Sequence, residues 1–180
     1  AKVMKLLPNC HNANCSDPAF RPFWERMAKA NMAFLAHTGG EYPIPVLNKA
    51  YADPRVLHLP AECGVTTIAA HGAGRSGLID PDYTCELIKM FSNYPNLFAD
   101  NSALATPNRW RTIKKLLPRE VCSRVLQGTA GLGGGMDWWR GKGAGVAPPD
   151  QARSDSVYSW RDYGNRVGIW RLLELFDELD

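Results

Sequence analysis

The feature that most constrains this chain is a set of short apolar runs, Val3–Leu7, Ala33–His37, Thr66–His71, Leu97–Asn101 and Arg124–Gly128. They recur roughly every 30 residues, the size of a strand-helix-strand unit. Each run ends in polar or glycine residues, and a segment of helical character follows it. Strands buried on both faces are apolar almost throughout, as strands of a parallel sheet are, whereas half-exposed strands alternate apolar and polar residues. The pattern predicts an α/β fold with about five parallel strands and flanking helices.

The helical segments carry their own start signals. Asp17-Pro18, Asp80-Pro81 and Thr106-Pro107 each put an oxygen-bearing side chain before a proline. Such an oxygen can accept a bond from an unpaired N–H of the first turn, and a proline there forfeits no helical hydrogen bond. Phe20, Trp24 and Met27 then share one helix face, as do Leu87, Met90, Phe91 and Tyr94 before Pro95, and Ile113, Leu116 and Leu117 further on.

Composition narrows the class of molecule. Hydrophobic residues make up 45% and charged residues 22% of the 180, enough apolar side chains for a real core. Lys and Arg are scattered, so no basic stripe for nucleic acid stands out. No apolar run reaches the length of a membrane-spanning helix, and the first residues do not read as a secretory leader. The 5 cysteines are odd in number and form no CxxC pair. Reduced thiols in a cytoplasmic protein are the expectation.

Two histidines mark a candidate site. His37 ends the second run in Ala36-His37-Thr38-Gly39-Gly40-Glu41, and His71 ends the third in Ala69-Ala70-His71-Gly72. In parallel α/β folds the C-terminal ends of the strands form the mouth where chemistry is done. Neutral imidazoles there can hold a divalent metal, which acidifies a bound water. A loop-capping or core histidine accounts for the same residues equally well. Glu41 could steady a metal-bound histidine or be a surface acid. Arg75 could grip a substrate carboxylate with its planar fork or be a solvated loop residue. Asp100 and Asn101 could line the same mouth or cap the next helix. His58 precedes a strand and belongs to the opposite rim. His11 lies near Cys10 and Cys15, at a spacing that matches no usual metal site.

The segments Lys5-Leu6-Leu7-Pro8-Asn9, His37-Thr38-Gly39-Gly40-Glu41, Ala69-Ala70-His71-Gly72, Tyr94-Pro95-Asn96-Leu97-Phe98-Ala99-Asp100-Asn101-Ser102-Ala103 and Asn108-Arg109 resemble the amidohydrolase-related, metal-dependent hydrolases. That family includes decarboxylases of carboxymuconate-type substrates, and the resemblance covers residues 1–130. It implies a partial (β/α) barrel of the metal-dependent hydrolase type, the back half of the family's fold. It also implies a divalent metal, zinc above all, and a small carbonyl or carboxylate substrate. His37 maps to a metal ligand, and His71 to a ligand or the acid/base group. Two departures stand against a complete site. The family's His-x-His pair has no counterpart in this sequence, and Ala130, in Gly128-Thr129-Ala130, stands where the family has a metal-binding Asp. Alanine can neither ligate nor take a proton, and Asp137 lies several residues away. Catalytic zinc normally takes three protein ligands. The resemblance therefore implies a hydrolase or decarboxylase incomplete in this chain, or a non-catalytic fragment or pseudoenzyme that keeps the fold with weak or no metal binding.

After Gly128 the pattern changes. Residues 131–154 are rich in glycine and proline and read as a linker. Residues 155–180 hold an amphipathic helix with Ile169, Leu172, Leu173 and Phe176 on one face. This last segment resembles the start of polysaccharide-deacetylase-like proteins, whose metal ligands lie on other segments, so the resemblance implies no activity. Trp138, Trp139, Trp160 and Trp170 leave open an interaction module. The expected organisation is a half-barrel over residues 1–130, a linker and a C-terminal helix. The chain opens directly on a strand without an initiator Met, which suggests a fragment. A half-barrel has open sheet edges, and self-association through them is expected. Small-molecule substrate, and neither nucleic acid nor membrane, completes the expectation.

Overall fold

The structure, a computed structural model, describes residues 2–40, 45–77, 79–104 and 109–128. The chain divides into a unit Ala1–Gly128 and a unit Thr129–Asp180. The expected linker, the C-terminal helix, its tryptophans and Ala130 all lie outside the described residues, as do Glu41 and Thr106-Pro107.

Five strands form one all-parallel sheet in the order β1 (Val3–Leu6), β2 (Ala33–His37), β3 (Thr67–Ala70), β4 (Leu97–Asp100) and β5 (Val125–Leu126). The α/β expectation is met: each strand pairs with the next in sequence, and helical segments fill the connections. These are α1 (Pro8–His11), α2 (Arg21–Lys29), α3 (His58–Glu62), α4 (Thr84–Phe91), α5 (Trp110–Leu116) and α6 (Arg119–Cys122), with short 3-10 turns between them. No helix among the described residues is long and apolar enough to cross a membrane.

The two faces of the sheet differ. Phe34, Ala36, Thr67, Ala69, Leu97 and Ala99 point to one face and are completely buried. Trp24, Met27, Leu57, Leu59, Leu87, Met90 and Phe91 belong to the same core. Trp24 is fixed there by donating its indole N–H to the Cys15 carbonyl at 2.9 Å, its ring 4.8 Å from that of Phe34. On the other face Leu35, Ile68 and Phe98 are only half-buried, and Val3 is 51% exposed. Consecutive parallel strands joined by right-handed crossovers, the near-universal hand, place all their helices on one side. That rule explains why one face is sealed and the other is not.

The start of α2 is as expected. Asp17 accepts from the Ala19 N–H at 2.9 Å ahead of a 3-10 turn that leads into the helix. Phe20, however, is 44% exposed and leaves the buried face to Trp24 and Met27. The next helix starts later than Asp80-Pro81 suggests. The Tyr83 N–H bonds to the Ala73 carbonyl at 3.0 Å, which ties the preceding residues to the turn after β3. Asp80 is drawn instead to the Gly77 N–H at 2.7 Å, and Asp82 accepts from Thr84 as α4 begins. Leu87, Met90 and Phe91 form the expected stripe, while Tyr94 lies past the helix end and packs partly buried on the same core. In α5 Ile113 is 36% exposed, and Leu117 just past its end is 51% exposed, so the expected face is rotated. Leu116 is buried as expected, joined by Thr112, because the two fill the space beside two glycines. A Cβ added at Gly74 would lie 2.1 Å from Thr112 Oγ1, and one at Gly72 would lie 2.7 Å from Leu116 Cδ1.

Candidate active site

His37 is the last residue of β2, on the half-covered face, and is 2% exposed. His71 follows β3 directly and is 8% exposed. The two rings meet edge to face with centroids 5.1 Å apart. Adjacent parallel strands ending at the same level bring them together, as their sequence positions suggested.

The backbone that carries His71 is strained. His71, Gly72 and Ala73 have φ of 62°, 56° and 54°, three successive residues in the left-handed region. Glycine adopts it freely, but the other two each lose roughly 1–2 kcal/mol there. Such strain persists only when neighbours over-determine it, and it collects at functional sites. Here the His71 N–H donates to Asp100 Oδ1 at 2.8 Å, the Gly74 N–H to the His71 carbonyl at 3.1 Å and the Tyr83 N–H to the Ala73 carbonyl. One consequence is that the His71 ring is turned toward the residues just beyond β4. Its Nδ1 lies 2.9 Å from the Ser102 carbonyl and 2.8 Å from Ser102 Oγ. Ser102 Oγ in turn donates to Asp100 Oδ1 at 2.5 Å, and that oxygen also accepts the Ser102 N–H at 3.0 Å.

The loop after β2 closes the other side. His37 Nε2 lies 3.3 Å from the Gly40 carbonyl. The buried Arg109 guanidinium donates to the same carbonyl at 2.5 Å and to the Gly74 carbonyl at 3.1 Å. It thereby clamps the loops after β2 and β3 together. Thr38 adds a direct tie, its hydroxyl donating to the Ala70 carbonyl at 2.7 Å.

Electrostatically, both imidazoles are held neutral. Burial pushes His37 down to about 3, helped by the neighbouring His71 and by the positive charges of Arg109 and Lys5. Burial likewise lowers His71 to about 4, with Arg109 adding to the effect and the Ser102 carbonyl and Asp100 opposing it. A neutral imidazole has a lone pair to offer a metal or a proton, and the surrounding cations favour an anion in the same space.

Among the other candidates, Asp100 is 7% exposed and spends its carboxylate on the His71 and Ser102 groups. Asn101 turns to β5: its amide donates to Gln127 and its oxygen accepts the Gly128 N–H at 2.9 Å. Arg75 sits half-buried in the loop after the left-handed turn. His58 stands at the start of α3, 3.6 Å from Glu62. Ser102, Arg109 and Thr38 were not singled out from the sequence, yet they organise the site. Among the described residues no three His, Cys, Asp or Glu side chains gather as a metal would require. Cys10 and Cys15 are buried, and burial pushes the Cys15 thiol up to about 12. Comparison of the chain with family models, curated proteins and solved structures yields no match.

Proposed function

We propose that this chain carries the site of a metal-dependent amidohydrolase-type hydrolase or decarboxylase for a small carbonyl or carboxylate compound, with His37 and His71 as its metal-facing pair. The observation that carries this reading is the pair itself: two neutral, nearly buried imidazoles at the mouth of adjacent parallel strands, one oriented through its Nδ1. Metal-bound histidines characteristically give their second nitrogen to a carbonyl or carboxylate, which is the arrangement of His71. The two rings lie edge to face with centroids 5.1 Å apart, and His37 and His71 are the residues that would hold the metal. These residues supply two of the usual three donors, and a third has to come from outside the described residues. A divalent metal, zinc first, would supply an acidified water or a polarised carbonyl. For their part, Arg109 and Lys5 favour an anionic substrate, His71 can hold or pass a proton at Nε2, and Arg75, half-buried in the loop after β3, would grip a carboxylate.

The second reading is a non-catalytic remnant that keeps the fold. Ala130, in the place of the acid that the resemblance leads one to expect, favours it. Calorimetric titration of zinc into chelator-stripped protein separates the two. The hydrolase-type reading expects stoichiometric binding that His37→Ala and His71→Ala each abolish. Absent binding, or binding indifferent to both substitutions, supports the remnant.

We further propose that the sheet is a sector of a (β/α) barrel. The sequential strand order and the half-covered face bearing Leu35, Ile68 and Phe98 support this reading, since a closed barrel buries that face against opposing strands. The outer edges of β1 and β5 have no partner strand among the described residues. Such edges invite pairing, and a second copy of the chain is the proposed occupant. Sedimentation velocity is expected to show a concentration-dependent dimer. A monomer at all concentrations would count against self-association and leave the site reading untouched.

A further inference from the structure

The hydrogen bonds around His71 settle where its proton can be, and this assigns Ser102 a role. Asp100 Oδ1 already accepts two backbone N–H groups, from His71 and Ser102, so toward the Ser102 hydroxyl at 2.5 Å it is again the acceptor. The hydroxyl has one proton and gives it to Asp100. Toward His71 Nδ1, at 2.8 Å, it can then only accept. The Ser102 main-chain carbonyl, 2.9 Å from the same nitrogen, is an acceptor too. Two acceptors converge on Nδ1, so that nitrogen must carry the hydrogen.

We infer that Ser102, oriented by Asp100, is a positioning residue that locks His71 in the Nδ1–H tautomer and leaves the lone pair on Nε2. Free histidine side chains favour the opposite tautomer, so the site inverts an intrinsic preference. Nε2 is thereby kept ready as a ligand or proton acceptor, whichever the bound compound calls for. Ser102 is 2% exposed, and its side chain spans from Asp100 to His71. The strained turn is explained as well. A left-handed His71 directs its own N–H to Asp100 while its ring reaches Ser102, so one carboxylate holds both the backbone and, through the serine, the side chain. The inference rests on the pair being a working site only for its purpose; the tautomer itself does not depend on metal binding.

The test is a long-range proton–nitrogen correlation spectrum of the full chain labelled with 15N-histidine at neutral pH, without metal. His71 is assigned by the signals lost in His71→Ala. The wild-type protein is expected to give a protonated, pyrrole-type Nδ1 and an unprotonated, pyridine-type Nε2. In Ser102→Ala, whose fold is checked by circular dichroism, both shifts should move toward each other as the Nε2–H form becomes populated. An Nε2–H tautomer of His71 in the wild type overturns the inference, whether or not Ser102→Ala folds. Unchanged shifts in folded Ser102→Ala overturn the role of the serine. A protein that fails to bind zinc but shows the Nδ1–H form would sink the metal reading and leave this one standing.

Discussion

The unfolding free energy is expected to fall steeply as pH drops below about 6.5, by up to about 2.7 kcal/mol per pH unit. The cause is the histidine pair. In the unfolded chain both imidazoles titrate near 6.5. In the folded protein burial and neighbouring positive charge bring His37 down to about 3 and His71 to about 4. Between these limits the unfolded chain binds two protons that the folded chain refuses, and each contributes about 1.4 kcal/mol per unit. Because both folded values lie below the unfolded one, the stability is fully present above about 6.5 and is lost as pH falls. His71 stops contributing to the slope at about 4 and His37 at about 3. At pH 4.5 the pair would have cost on the order of 5 kcal/mol, comparable to the whole stability of many domains. Asp82, held below the usual carboxylate range by Lys115 and Thr84, and Glu62, held down by Arg21, lose their contributions only at lower pH. The window from 4.5 to 6.5 therefore belongs to the histidines. Urea unfolding across that window should show the slope roughly halved in His37→Gln and in His71→Gln. An undiminished slope in both variants would mean that the rings are not held neutral by their surroundings.

How far this site was legible in the sequence depended on the kind of signal each residue leaves. The strands were legible because their apolar runs are almost uninterrupted, although only one face of the sheet is sealed and the expected burial on both faces is not met; β2 begins and ends where its apolar run does. His37 and His71 were legible because the C-terminal end of a parallel strand is a place with chemical meaning. The face of α5 was not, since its orientation depends on Gly72 and Gly74, some forty residues upstream, and not on its own periodicity. Ser102 and Arg109 stood in the sequence only inside segments that carry the resemblance, with no role of their own. A serine or arginine carries no period, and their partners lie on other connections: His71 for one, Gly40 and Gly74 for the other. A faint signal did exist. Asp100 and Ser102, two residues apart at a strand end, have the spacing at which an Asp side chain bonds a backbone N–H ahead of it. That spacing predicts a turn, whereas the third member, His71, comes only from the fold.

Replacing Gly39 by alanine is expected to destabilise the protein by about 3 kcal/mol and to separate the two histidine loops. Gly39 has φ of 75°, where an alanine loses roughly 1–2 kcal/mol on backbone grounds alone. Its new Cβ would also fall 2.1 Å from the Gly74 carbonyl oxygen and 2.9 Å from the Ala73 carbonyl carbon. Both are backbone atoms, so no side chain can swing aside. The Gly74 carbonyl is also where Arg109 and the Gly40 N–H bond, at 3.1 and 3.3 Å, so the clash strikes the clamp that joins the loops after β2 and β3. Gly64 provides the contrast. Its φ of 85° is just as unfavourable for alanine, but the nearest atom to an added Cβ is Ala28 Cβ at 3.9 Å. Gly64→Ala should therefore cost only the backbone part, roughly 1–2 kcal/mol. Urea unfolding of the two variants side by side isolates the close approach of the loops. Equal losses would show that the loops can part without penalty. A larger loss at Gly39, accompanied by weaker zinc binding than in Gly64→Ala, would show that the same contact holds the fold and sets the spacing of His37 and His71.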